Sequence, residues 1–385
     1  MRERYIAAAR RVLVTALVLA AFLVLPQAFS QTARASGESG ALDRVIEEQS
    51  GAVGAGDVEN AVGDEARELL GGLKVGDAAK NSGAFGRLLS EAAARIRGIV
   101  TASVRNAAVI VLAAIFSGLF ASCLPGNHSN YAILAAILVI SAVSLASVNT
   151  FIGMGSRVLD DLQTFSRVLL PCLTAAAAAS GAVTSASVKY AATTLFLDIM
   201  QTAMRALIMP LIYAYCAVSV GEAAIGGTSL AGVSSLLKWL VKTVLSAFVI
   251  VFIIYMSVAG VVASSSDAAA LRAAKVTIAT VLPVVGSIAA DAADTILSGA
   301  SVLRGAIGVF GVLAVAATCA VPFLKLGINY LLFKLAGGLS GTVADARITK
   351  LAGAFADAFG MTLAMSGVCA IMLFVSIISV IRFTV

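Results

Sequence analysis

Residues 106–156 read NAAVIVLAAIFSGLFASCLPGNHSNYAILAAILVISAVSLASVNTFIGMGS, 51 consecutive positions without an Asp, Glu, Lys or Arg. A helix rises 1.5 Å per residue, so about 20 apolar residues cross the roughly 30 Å hydrocarbon core of a bilayer. The stretch is too long for one crossing. Its centre, Leu124-Pro125-Gly126-Asn127-His128-Ser129-Asn130, has the composition of a turn. The reading is two spans, about 107–124 and 131–152, joined tightly. His128 is the only histidine and reads as a solvated turn residue.

The whole chain agrees with this stretch. Of its 385 residues, 60% are hydrophobic and 12% charged, where soluble domains carry about 45–50% and about 25%. Mean hydropathy is +0.99. So few charges cannot cover the surface of a soluble particle this size, which excludes a soluble enzyme, a disordered chain and a fibrous repeat. The net charge of +6 points to anionic lipid or cytoplasmic anchoring, with no nucleic acid as partner. The cysteines Cys123, Cys172, Cys216, Cys319 and Cys369 lie in or beside apolar runs, none in a Cys-x-x-Cys pair. They read as small apolar residues, so no metal site, disulfide framework or cofactor is expected.

Residues 1–30 have the layout of a signal peptide: a basic stretch to Arg11, an uncharged apolar run over 12–25, Pro26, then Ala28-Phe29-Ser30 before Gln31. An uncleaved anchor is the alternative. Either way 31–106 is read as exported, partly helical and partly flexible. Within it, 42–49 and 57–73 are helix-like, and 51–56 is a glycine-rich loop. Over 85–105, Phe85, Leu88, Leu89, Ala92, Ile96 and Ile99 recur at helical spacing, with Arg87, Arg95, Arg97 and Arg105 opposite. Such a helix lies on the membrane surface, docks a partner, or packs on its own membrane domain.

Residues 107–385 form the membrane domain. Arg157, Asp160, Asp161 and Arg167 mark a short polar loop before the apolar run 168–188, which is rich in small residues. The long run 191–220 carries Asp198 and Arg205, seven apart and therefore on one face, with Gln201 and Thr202 between. A charge at this depth turns inward and takes a partner, so the two residues line a polar path or staple helices together. A Gly/Ser-rich loop over 222–235 leads to Lys238, Trp239 and Lys242, interfacial anchors of a clean span over 243–263.

The segment 276–299 is interrupted by Pro283 and Gly286, candidate hinges, and carries Ser287, Asp291, Asp294 and Ser298 at spacings of 4, 3 and 4. That stripe lines a water-filled cavity, pairs with a base such as Arg205, forms a broken re-entrant segment, or lies flat at the interface. Runs at 305–324, 326–341 and 358–381 complete an all-α, polytopic transmembrane helix bundle of about seven to nine spans.

Particular motifs carry a family resemblance. LLP at 169–171 is followed by ASGAVTSA at 179–186; KVTIATVLPVVGS at 275–287 is followed by ADAADTIL at 290–297 and GAIG at 305–308. Together they resemble the stage III sporulation protein AE family over roughly 100–385. The resemblance implies a multi-pass protein of the mother-cell membrane surrounding the forespore. Its partners would be other membrane and ring subunits of a secretion-like channel complex, including a cytoplasmic ATPase. The role expected is that of a non-enzymatic core subunit needed for endospore formation. The alternative is a secondary transporter or permease for a small solute. Catalysis is not expected, since Asp291 and Asp294 share one helix face and no Ser/His pairing exists.

Overall fold

Backbone amides inside hydrocarbon must find partners within their own segment, which leaves the helix as the natural state of these apolar runs. The computed structural model describes residues 40–78, 83–123, 128–180, 183–226, 230–262, 285–342 and 344–382. Helices make up nearly all of this, with no strand among the described residues. Four short helices come first: α1 (Gly40–Val53), α2 (Ala55–Asn60), α3 (Asp64–Leu70) and α4 (Val75–Ala78). Six long ones follow: α5 (Ala84–Cys123), α6 (His128–Ala179), α7 (Val183–Ile225), α8 (Ala231–Val262), α9 (Val285–Ser340) and α10 (Ala346–Arg382). All six are long and apolar enough to cross a membrane. The expected signal peptide, 1–30, and Pro283 lie outside the described residues.

Fewer, longer helices replace several of the expected spans. The polar loop at 157–167 is the interior of α6, which joins the 131–152 run to 168–179 in one helix of 52 residues. Asp and Arg do not break a helix when the apolar period continues beneath them. Val158, Leu159, Leu162, Phe165 and Leu169 are all buried, at the 3–4 spacing of one helical face. The run 168–188 is not a span, because α6 ends at Ala179 and α7 begins at Val183. Likewise 285–299, 305–324 and 326–341 are one helix, the 56-residue α9, with Pro322 inside it. At 1.5 Å per residue the six run from about 48 to about 84 Å, so a bilayer of about 30 Å covers only part of each.

The amphipathic stretch at 85–105 and the first predicted span are also one helix, α5, so the boundary expected at residue 106 falls within it. Of the placements open to that stretch, it packs on its own bundle: Leu88 and Ala92 are buried, and Asn329 Nδ2 of α9 donates to Ser103 Oγ at 2.9 Å.

The short helices are part of the same body. Ala55, Val58, Val62, Ala66, Leu69, Val75 and Ala78 are each 3% exposed or less. Gln49 Nε2 donates to the Ile296 carbonyl at 3.1 Å, and Glu68 lies 2.9 Å from Arg95. The glycine-rich 51–56 stretch is a joint between α1 and α2, not a loop. Gly54 sits there at φ 78°, a conformation that suits glycine.

Successive long helices alternate in direction, with α9 and α10 at the centre. Their apolar windows are 72% and 61% buried, against 25% for α5 and 17% for α8. Small residues permit this closeness. A Cβ placed on Gly311 of α9 would stand 2.8 Å from Leu169 Cδ2 of α6, and one on Gly155 of α6 would overlap Thr362 of α10. Phe359 completes the junction, its ring edge-on to Phe151 at 5.2 Å and to Phe333 at 4.9 Å. Arg304 of α9 is 4% exposed. Its Nη1 donates to Ser180 Oγ at 3.2 Å, beside the C-terminus of α6, where the helix dipole favours a cation.

Candidate functional site

Asp198 and Arg205 do lie on one face of α7, yet they do not pair with each other. Antiparallel packing brings each to the opposite charge on α6. Asp198 Oδ1 accepts from Arg167 Nε at 3.0 Å and from Gln163 Nε2 at 2.6 Å. The Arg205 guanidinium takes Asp160 through both terminal nitrogens and also donates to Ser156 Oγ at 2.9 Å. The Asp160 and Arg167 positions on α6, seven residues apart, match the seven between Asp198 and Arg205 on α7. Two crossed pairs result, each with its acid and base reversed relative to the other.

Farther along the same contact, Tyr213 Oη donates to Asn149 Oδ1 at 2.9 Å. From Asn149 to Arg167 the polar seam extends about 27 Å, close to a bilayer's hydrocarbon thickness. It faces outward: Arg167 is 57% exposed and Asp198 37%, Arg205 45% and Asp160 40%. Thr202 lies on it, whereas Gln201, one residue away, is buried.

The other predicted residues fall elsewhere. Ser287, Asp291 and Asp294 are on α9, N-terminal to the point where Arg304 meets Ser180. Gly286 is its second residue, and Ser298 is exposed. Arg205, considered as a base for this stripe, is engaged by Asp160 and Ser156.

A second ionic cluster was not read from the sequence. Asp357 of α10 receives Lys238 of α8 and Lys334 of α9, the latter at 3.5 Å, tying three helices together. Lys238 thus turns inward, whereas Trp239 and Lys242 are exposed. Asp160, Gln163 and Arg167 were also missed as site residues. Their 3–4 spacing opposite the apolar period of Val158, Leu162, Phe165 and Leu169 was the available signal. The thiols behave as apolar residues: Cys172, Cys216, Cys319 and Cys369 are buried and Cys123 is exposed, all five free.

A helical body with a glycine-packed centre, an ion-paired outer seam and six helices long and apolar enough to cross a membrane defines an all-α fold of the membrane-protein type. The chain belongs to the stage III sporulation protein AE family, whose family model matches residues 68–384, from within α3 to just past α10. It is similar to the stage III sporulation protein AE of Bacillus subtilis (strain 168), 26% identical over 209 residues. That match covers 54% of this chain and 52% of the relative, so the chain spans about half the length of the curated relative it matches. No solved structure matches.

Proposed function

We propose that this chain is a non-enzymatic, multi-pass subunit of a channel complex joining mother cell to forespore during endospore formation. It resides in the mother-cell membrane around the forespore, beside other membrane and ring subunits and a cytoplasmic ATPase. Family membership supports the sporulation role. The observation that carries the subunit role is the α6–α7 seam. Ion pairs half exposed along apolar helices are costly against lipid, so the seam meets a polar surface of a neighbouring subunit or a water-filled path between subunits.

The test is removal of the acid from both crossed pairs, Asp160→Asn with Asp198→Asn, in the host organism. A drop in sporulation and in late forespore transcription, with normal amounts of the protein in the membrane, is expected. Wild-type sporulation in that variant overturns the role given to the seam. A free-standing transporter would move solute when reconstituted alone in liposomes, whereas a subunit of a larger channel is inert there.

A further inference from the structure

The end of the bundle away from Ser180 holds a cavity of about 310 Å³, of the size that small-molecule sites occupy. It is a half-open recess lined by the last turns of α7 and the first turns of α8 and α10. Its charged lining is Glu222, Lys238, Arg347, Lys350 and Asp357.

Most of these charges are already engaged. Asp357 faces two lysines, Lys238 and Lys334. Glu222 Oε2 accepts from Ser234 Oγ at 2.7 Å. Arg347 lies against Gly226, where φ is +69° and any side chain would overlap the guanidinium, and its Nε stands 3.8 Å from Asp345. Lys350 is exposed and has no ion-pair or hydrogen-bond partner among the described residues. Counting Lys334 and Asp345, four bases face three acids. The N-termini of α8 and α10 bring positive dipole ends to the same space, and the C-terminus of α7 offsets one of them. A concave site with surplus positive charge and an unengaged ammonium selects an anion.

We propose that this cavity binds a phosphate group, with Lys350 as its principal cation and Arg347 as the second. Two sources share that chemistry. Trp239, 60% exposed on α8 next to Lys238, marks this end as a membrane interface, where the headgroup of an anionic phospholipid reaches the cavity. A soluble phosphomonoester is the other source. The site stands independently of the channel role.

The chain's single tryptophan reports on the site. The full protein is placed in phosphatidylcholine nanodiscs, and Trp239 emission is followed while phosphatidylglycerol is added to the lipid or glycerol 3-phosphate to the buffer. A saturable change is expected for wild type, with Lys350→Gln and Arg347→Gln each weakening it by about tenfold or more. Lys242→Gln, an exposed cation on the same helix outside the cavity, leaves it within about twofold. Lys350 has no ion pair or hydrogen bond to lose among the described residues, so its variant is expected to keep the wild-type melting temperature. Response to the lipid alone assigns the headgroup, and response to glycerol 3-phosphate assigns the soluble ester. Response to neither, or a response that Lys350→Gln and Arg347→Gln leave intact, overturns the site.

Discussion

Arg205 closes on Asp160 of the neighbouring helix and leaves Asp198, its companion seven residues earlier on α7, to Arg167. Because the two pairs are crossed, they select one register of α6 against α7. A slide of one helical turn would bring each side chain away from its partner. Such specificity is a use of ion pairs that does not require a large contribution to stability.

A double-mutant cycle over this pair tests that reading. Asp160→Asn and Arg205→Gln each lower the melting temperature in detergent, and the double variant loses less than the sum of the two. The coupling expected for a half-exposed pair is about 1 kcal/mol or less. Additive losses would place the two side chains apart.

Asp357 is more critical, because it serves Lys238 and Lys334 together. Asp357→Leu leaves Lys238, the less exposed of the two lysines, without its acceptor and costs about 3 kcal/mol. Lys334→Met, which removes the more exposed lysine (52%), costs about 1 kcal/mol or less. Thermal or denaturant unfolding of both variants checks the order.

Two glycines of α6 respond oppositely. Gly155 faces Thr362, and Gly155→Leu overpacks the α6–α10 contact at a cost of about 1–3 kcal/mol. Gly153 has nothing within 4 Å of its missing Cβ, so Gly153→Ala is neutral or slightly stabilising through helix propensity. Equal effects on the melting temperature would contradict this packing.

Thiol labelling reads the core directly. In the folded protein a small maleimide modifies Cys123 alone, and denaturation releases Cys172, Cys216, Cys319 and Cys369. Mass spectrometry counts the adducts, and fast native labelling of Cys319 or Cys369 would contradict their burial.

Asp291→Asn with Asp294→Asn addresses the stripe on α9. If these acids contribute to the channel, sporulation falls while the protein's melting temperature is unchanged. Normal sporulation makes the stripe structural only.

Much of the fold was legible because it rests on local chemistry. The uncharged run at 106–156 required apolar helices with a turn near His128, and α5 ends at Cys123 while α6 begins at His128. Helix ends were less legible. A charge cluster at 157–167 resembles a loop when residues are read by polarity, yet it is helix when the buried period of Val158, Leu162, Phe165 and Leu169 is followed. Lys325, which falls between the runs 305–324 and 326–341, divided α9 in the same misleading way, and Lys334 made the second run look like a short or half crossing. Each reaches a carboxylate, Glu65 at 3.8 Å and Asp357 at 3.5 Å, so neither needed to leave the helix.

Composition and periodicity alone determined that this chain builds long apolar helices and that Asp198 and Arg205 share a face, since both follow from the rise and rotation of a single helix. Which charge meets which was decided only by tertiary structure. The partners Asp160, Arg167 and Asp357 come from other helices, and their distances depend on how closely glycines such as Gly155 and Gly311 let those helices approach. No single-helix period contains that information.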